Sequence, residues 1–190
     1  MKLRFAIGVD LGATTVKTGL VSSTGRILYQ NKLPTNGHLG PPAVITQIEA
    51  SVRDAISHSD GKKPAGIGIG APGVVDDNGV VKSPPNMAHW DEVPLAKIIG
   101  KIFPRLRIKA ENDANAAAIA ESKFGAGKKL SNFLFVIWGT GVGGGIILNH
   151  KIYRGPTGGA GEIGHVSIDY NGPECNCGNR GCVEAYVGQR

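Results

Sequence analysis

The chain has 190 residues, room for one generous core or two small domains, and its 29 glycines point to many tight turns. A formal charge of +6 comes from scattered Lys and Arg, with the doublets Lys62-Lys63 and Lys128-Lys129 in polar turns; no nucleic-acid partner is expected, and an anionic small-molecule ligand suits the charge as well. No run approaches the ~20 apolar residues of a membrane span, and MKLRFAIGVDLG lacks an apolar run with a cleavage site, so a cytoplasmic protein without a membrane partner is expected.

Residues 5–10, 16–21 and 26–32 are short β-type runs separated by LGATT and SSTG, which predicts an antiparallel three-stranded meander. Residues 41–57 carry Val44, Ile45, Ile48, Val52 and Ile56 at helical spacing, and 66–70 follows as a buried strand. Val74-Val75 and Val80-Val81 flank DDNG, a hairpin signal, before a second helix over 95–102. A strand at 107–111 then runs into an alanine-rich helix over 115–123.

GAGKKLSN, residues 125–132, is polar and carries two glycines, so it reads as a connection between two units. Strands at 133–138 and 143–148 surround WGTGVGGG, and a third short strand is expected at 151–153. Two α/β halves thus open in a similar way, each with a glycine-bearing hairpin. In VEAYVGQR a helix begins where the sequence stops, and the expectation is a fragment of a longer chain.

Gly68-Ile-Gly70-Ala-Pro-Gly73 and Gly139-Thr-Gly141-Val-Gly143-Gly144 both have the spacing GxGxxG. A dinucleotide fingerprint must open a helix, whereas here Pro72 and the run IIL lead back into β structure, so a nicotinamide cofactor is not expected. Asp10-Leu-Gly-Ala-Thr-Thr-Val-Lys17 places a carboxylate at a strand end, then a glycine, two hydroxyls and a lysine around a turn. Such a turn can cup phosphate on backbone N–H groups and Thr14 or Thr15 while Asp10 holds Mg²⁺ through water, although a simple β-turn reads the same. The second turn, Thr140-Gly141, again lets backbone approach a ligand closely.

All three cysteines fall within eight residues, CNCGNRGC. His165 with Cys175, Cys177 and Cys182 makes three sulfurs and one imidazole, a full tetrahedral zinc set in which the metal is structural; free structural thiols are the alternative. A glycine-rich loop with little apolar content would take from the metal the order that packing does not supply.

Together DLGATTVKTGL, GIGAPGVVD, ENDANAAAIAE, GTGVGGGI, GAGEIGH and CNCGNRGCVE resemble, in order from Val9 to Glu184, the ROK family of sugar kinases and sugar-responsive repressors within the actin-like ATPase superfamily. The resemblance implies an α/β, ribonuclease H-like fold: a mixed sheet flanked by helices in a lobe over 1–124, and an incomplete second lobe with the zinc loop over 125–190. It implies nucleotide contacts from Asp10, Gly12, Thr14, Thr15, Lys17, Thr140 and Gly141. Asn86, Asn112, Asp113, Glu162, His165 and Glu184 would contact a hexose, with Asp113 as general base toward the sugar 6-hydroxyl. Without the resemblance, Asn112-Asp113 reads as a helix cap, PPN before Met87 as a turn, and Glu162 and Glu184 as solvated carboxylates.

The implied cofactors are ATP, Mg²⁺ and structural Zn²⁺, and the implied assembly is a homodimer. PNMAHWDEVPL is most similar to the glucokinase-type branch, which makes glucose the expected substrate; N-acetylhexosamines, mannose and fructose stay open. A sugar-sensing regulator of the same family would need a DNA-binding segment before the first strand, so a kinase is expected instead. The 190-residue chain alone is expected to bind sugar poorly and transfer little phosphate.

Overall fold

The structure, a computed structural model, describes residues 5–188. It divides into two compact units, the first ending at Asp113 and the second beginning at Ala114. The division falls at the head of a helix, whereas the sequence placed it beyond that helix's end; the outermost residues of the expected lobes, 1–4 and 189–190, lie outside the described residues.

In the first unit, β1 (Phe5–Leu11), β2 (Thr15–Ser22) and β3 (Ile27–Pro34) form the expected antiparallel meander. The meander is extended in parallel by β4 (Gly66–Ala71) and β8 (Arg107–Asn112), giving the order β3-β2-β1-β4-β8. Parallel extension requires crossovers, and α1 (Pro41–Ser57) and α2 (Leu95–Ile102) lie in them.

Strand alternation decides which face is dry. Phe5, Ile7, Val9 and Leu11 of β1, Val16 and Leu20 of β2, and Ile67, Ile69 and Ala71 of β4 are buried. Helix α1 turns Val44, Ile48, Val52 and Ala55, a 3.6-residue stripe, into the same core. A polar link sits among them: the Ser51 hydroxyl on α1 and the Thr18 hydroxyl on β2 share a hydrogen bond at 2.7 Å, and Ser51 donates to Asn31 Oδ1 on β3 at 2.5 Å.

A small sheet of β5 (Val74–Val75), β6 (Val81–Lys82) and β7 (Glu92–Val93) is inserted between β4 and α2. The DDNG turn forms as the sequence predicts: Asp76 Oδ1 accepts from the Asn78 and Val80 N–H groups at 2.9 and 3.0 Å, and Gly79 takes φ +72°. The pairing is Val75 with Val81, one residue later than the Val80-Val81 flank implied. Strand β7 was not expected, because two residues show no period.

In the second unit, β9 (Phe133–Trp138), β10 (Val142–Leu148) and β11 (Lys151–Tyr153) form an antiparallel sheet in the order β11-β10-β9. Helix α3 (Asp113–Phe124) supplies Ala114 and Ala118 to it. A Cβ on Gly145 would lie 2.5 Å from Ala118 Cβ, and one on Gly143 3.2 Å from Ala114 Cβ. The glycines of β10 therefore let a sheet and a helix of small residues touch. Beyond β11 the chain has little regular structure until α4 (Val183–Val187). No helix among the described residues is long and apolar enough to cross a membrane.

Candidate functional site

The turn between β1 and β2 is held from inside. Gly12 donates its N–H to the Thr15 carbonyl at 3.0 Å, so this amide closes the turn and is not among those a phosphate could use. Thr35, fully buried just after β3, donates its hydroxyl to Gly12 O at 2.6 Å and its N–H to Thr14 O at 2.9 Å. The Ala13 and Thr14 N–H groups have no hydrogen-bond acceptor among the described residues. Thr35 was not singled out by the sequence, which carries no local pattern for it; the β2-β3 register, setting Thr15 opposite Pro34, brings it beside the turn.

Asp10 and Lys17 are register partners on β1 and β2, and Lys17 Nζ lies 3.1 Å from Asp10 Oδ2. Both side chains are more than half exposed, 57% for Asp10 and 58% for Lys17. An exposed pair of this kind contributes little to stability, so each group can turn to a cation or a phosphate at small cost.

Asn112 ends β8 and Asp113 opens α3, so the carboxylate lies in the first turn of a helix, where the peptide dipoles favour its ionised form. Asn112 is 9% exposed and donates its amide both to Gly73 O and to Asp113 Oδ1, each at 3.1 Å. Gly73 can present that carbonyl because it adopts φ +80° where a Cβ would press on Lys82 O at 2.8 Å. Asn112 thus orients Asp113, a duty its sequence assignment as a sugar contact did not include.

Asn86 is exposed at φ +61°, a left-handed turn position that asparagine tolerates. Its loop is anchored by burial of Met87 and Trp90, the indole donating to Val81 O at 3.2 Å, and by the Ala88 N–H on Gly37 O at 3.0 Å. Met87 and Trp90 are therefore core, while Asn86 and His89 are the polar residues the segment displays.

In the second unit His165, Cys175, Cys177 and Cys182 converge, with their donor atoms all within 4.8 Å of one another. Cys177 Sγ lies 3.7 Å from Cys182 Sγ, and Cys175 Sγ 3.7 Å from His165 Nδ1. A tetrahedron with metal–sulfur bonds of about 2.3 Å has edges of about 3.8 Å, so the four donors have the spacing of a metal shell. The thiols are unequal. Cys182 is buried, and burial, followed by its bonds to Cys177 and Cys175, pushes its thiol up to about 12. Cys177 is exposed and shifted down, chiefly by the Asn179 backbone N–H. The loop folds tightly through Cys175 N–H on Asn179 O at 2.8 Å, Gly178 at φ +89° and Gly181 at φ +65°.

His165 turns Nδ1 to the sulfurs and Nε2 to Glu162, whose Oε2 is 4.0 Å away. The sequence left open which nitrogen faces which way. Glu162 is exposed and Glu184 half-buried. Glu184 does more than the sequence assigned: its Oε2 accepts the Val142 N–H at 2.8 Å, directly after the Gly139–Gly141 turn. Within that turn the Gly139 N–H donates to Gly141 O at 2.9 Å. Each unit thus carries a glycine turn and a group of polar side chains.

The sequence profile of the ROK family matches residues 6–190. The chain is similar to the glucokinase of Thermotoga maritima, 41% identical over 180 residues, covering 94% of this chain and 56% of that protein. It is also similar to the xylose repressor of Bacillus spizizenii, 36% identical over 197 residues, covering 100% of this chain and 49% of the repressor. Among solved structures it resembles a ROK family glucokinase from Streptomyces griseus in complex with glucose and AMPPNP. That likeness has a TM-score of 0.85 and 38% identity over 97% of this chain and 57% of the other. The chain spans about half the length of the curated relatives it matches.

Proposed function

The chain belongs to the ROK family and has the actin-like ATPase fold, and from that membership we propose that it phosphorylates a hexose at the 6-hydroxyl with ATP, glucose being the preferred substrate. The observation that carries the reading is Asp113. A carboxylate at a helix N-terminus, held by a buried Asn112, is favoured in its ionised form by the peptide dipoles and fixed in direction, as a base toward a sugar hydroxyl must be.

The first unit's share would be the Asp10–Lys17 hairpin for phosphate and Mg²⁺, with Asn86, Asn112 and Asp113 for sugar. The second unit's share would be Thr140 and Gly141 for phosphate, with Glu162, His165 and Glu184 for sugar. Phosphoryl transfer asks mainly for alignment and charge neutralisation, which amides, a lysine and a carboxylate supply. Bound Mg²⁺ would neutralise phosphate charge, and an ATP-using enzyme with zinc-bound thiolates would suit the cytoplasm.

The three sulfurs and the imidazole fit Zn²⁺ in donor type, number and spacing. With four protein donors the metal would hold the loop and leave no open position for water. His165 Nδ1 would face the metal and Nε2 the sugar.

Similarity to xylose repressors supports a second reading, a sugar-responsive regulator. A coupled assay on the intact protein, not on the 190-residue chain alone, with ATP, Mg²⁺ and a panel of glucose, mannose, fructose, N-acetylglucosamine and N-acetylmannosamine separates the two. Glucose is expected to be phosphorylated with the highest kcat/KM. Sugar binding without phosphate transfer would favour the regulator and overturn the kinase reading.

A further inference from the structure

We propose that the four-donor cluster sets the shape of the Gly139–Gly141 turn through one residue, Val142, with Glu184 as the positioning residue that connects them. The inference rests on the readings of the cluster as a zinc site and of the turn as a phosphate site.

Val142 is the first residue of β10 after the turn and is 8% exposed. Two segments that carry metal donors close on its backbone from opposite atoms. Gly164 precedes the ligand His165 and packs so tightly on the Val142 carbonyl that any Cβ there would collide with it. Glu184 lies two residues beyond the ligand Cys182 and accepts the Val142 N–H at 2.8 Å.

Helix α4, which begins directly after Cys182, also grips the other end of the turn: Trp138, the last residue of β9, donates its indole N–H to Val187 O at 2.7 Å. A five-residue helix has little stability of its own, so its place depends on what fixes its ends. Its start is fixed by Val183 N–H on Val166 O at 3.0 Å and by Cys182 itself, whose Sγ lies 3.5 Å from His165 O. A metal joining Cys182 to His165 would lock the two segments that flank Val142, and the turn between Trp138 and Val142 would take one shape. Glu184 has a further consequence here. With Oε2 turned to the Val142 amide, its other oxygen is the one left to receive a sugar hydroxyl, so one carboxylate would join metal loop, turn and substrate.

The test is amide hydrogen exchange at Gly141 and Val142 in the full chain, with bound zinc measured on the same samples. Removing zinc with a chelator is expected to speed exchange at Val142 by about tenfold or more, the size of one hydrogen bond to a charged acceptor, and zinc alone should restore it. Glu184→Ala should give the same acceleration while about one zinc per chain stays bound. Glu184→Gln keeps an acceptor oxygen and should retain most of the protection, a rescue that a general loss of packing would not show. If zinc binds and can be removed with exchange at Val142 unchanged, or if Glu184→Ala leaves Val142 protected, the coupling is wrong and the zinc reading stands. A chain that binds no zinc overturns both.

Discussion

Tyr29 shows how a single side chain on an outer strand tunes its neighbours. Its hydroxyl donates to Asp54 Oδ2 at 2.6 Å, and its ring stacks on His58 with centroids 3.8 Å apart. The hydrogen bond from Tyr29, and then that from Asn31, hold the Asp54 carboxyl below the usual carboxylate range. A carboxyl whose pKa is depressed on folding stabilises above its unfolded value of about 3.9, and the contribution is lost as pH falls through the folded value. Tyr29→Phe should therefore lower the urea midpoint more at about pH 6 than at about pH 2. Equal lowering at both would mean that Tyr29 acts on stability through packing and not through Asp54. Asp113 is the other residue whose surroundings matter at this scale. The pair Asn112-Asp113 was visible in the sequence only as a cap or, by resemblance, as a base; that Asn112 holds the carboxylate while held itself by Gly73 needs coordinates, because Gly73 lies 39 residues from Asn112 in the chain.

Elements with a clear period were legible before the structure. Helices α1 and α2 and strands β9 and β11 have the bounds the sequence predicts, because Pro41, Pro94 and the turn residues punctuate long apolar patterns. Helix α3 begins two residues earlier than expected, since Asp113 was read as a possible cap and lies within the first turn. The 3₁₀ turns at Gly37–Leu39, Ala126–Lys129 and Ile163–His165 went unseen; one turn is too short to carry a period. Glycine in strands illustrates why sequence alone misjudges a residue's purpose. Gly145 faces Ala118 with a prospective Cβ–Cβ distance of 2.5 Å, whereas nothing lies within 4 Å of a Cβ on Gly8. Gly145→Ala should destabilise by about 1–3 kcal/mol through overpacking. Gly8→Ala should be neutral or stabilise by about 0.5–1 kcal/mol, since a strand alanine loses less backbone freedom than glycine. Chemical denaturation of both variants checks the contrast, and a matching loss at Gly8 would refute it.

At the scale of the molecule, the chain repeats one device: each unit carries an antiparallel hairpin with a glycine turn, β1-β2 at the start of the first and β9-β10 after helix α3 in the second. The repeat was readable from LGATT and WGTGVGGG, and so was the convergence of CNCGNRGC with His165, because sulfur spacing is a local property. What braces each turn was not readable. Thr35 and Glu184 reach their turns from 23 and 42 residues away, and neither has a local pattern that announces it. Zinc, glucose and ATP are proposals from chemistry and family, and the proposed reaction turns on a proton leaving a sugar hydroxyl toward Asp113. The most direct measurement compares the intact protein with its Asp113→Asn variant, following glucose 6-phosphate formed from ATP and Mg²⁺ and, separately, glucose affinity. The account predicts that Asp113→Asn lowers kcat by about 10²–10⁴-fold with glucose affinity nearly unchanged. Turnover by the variant equal to that of the parent would contradict it.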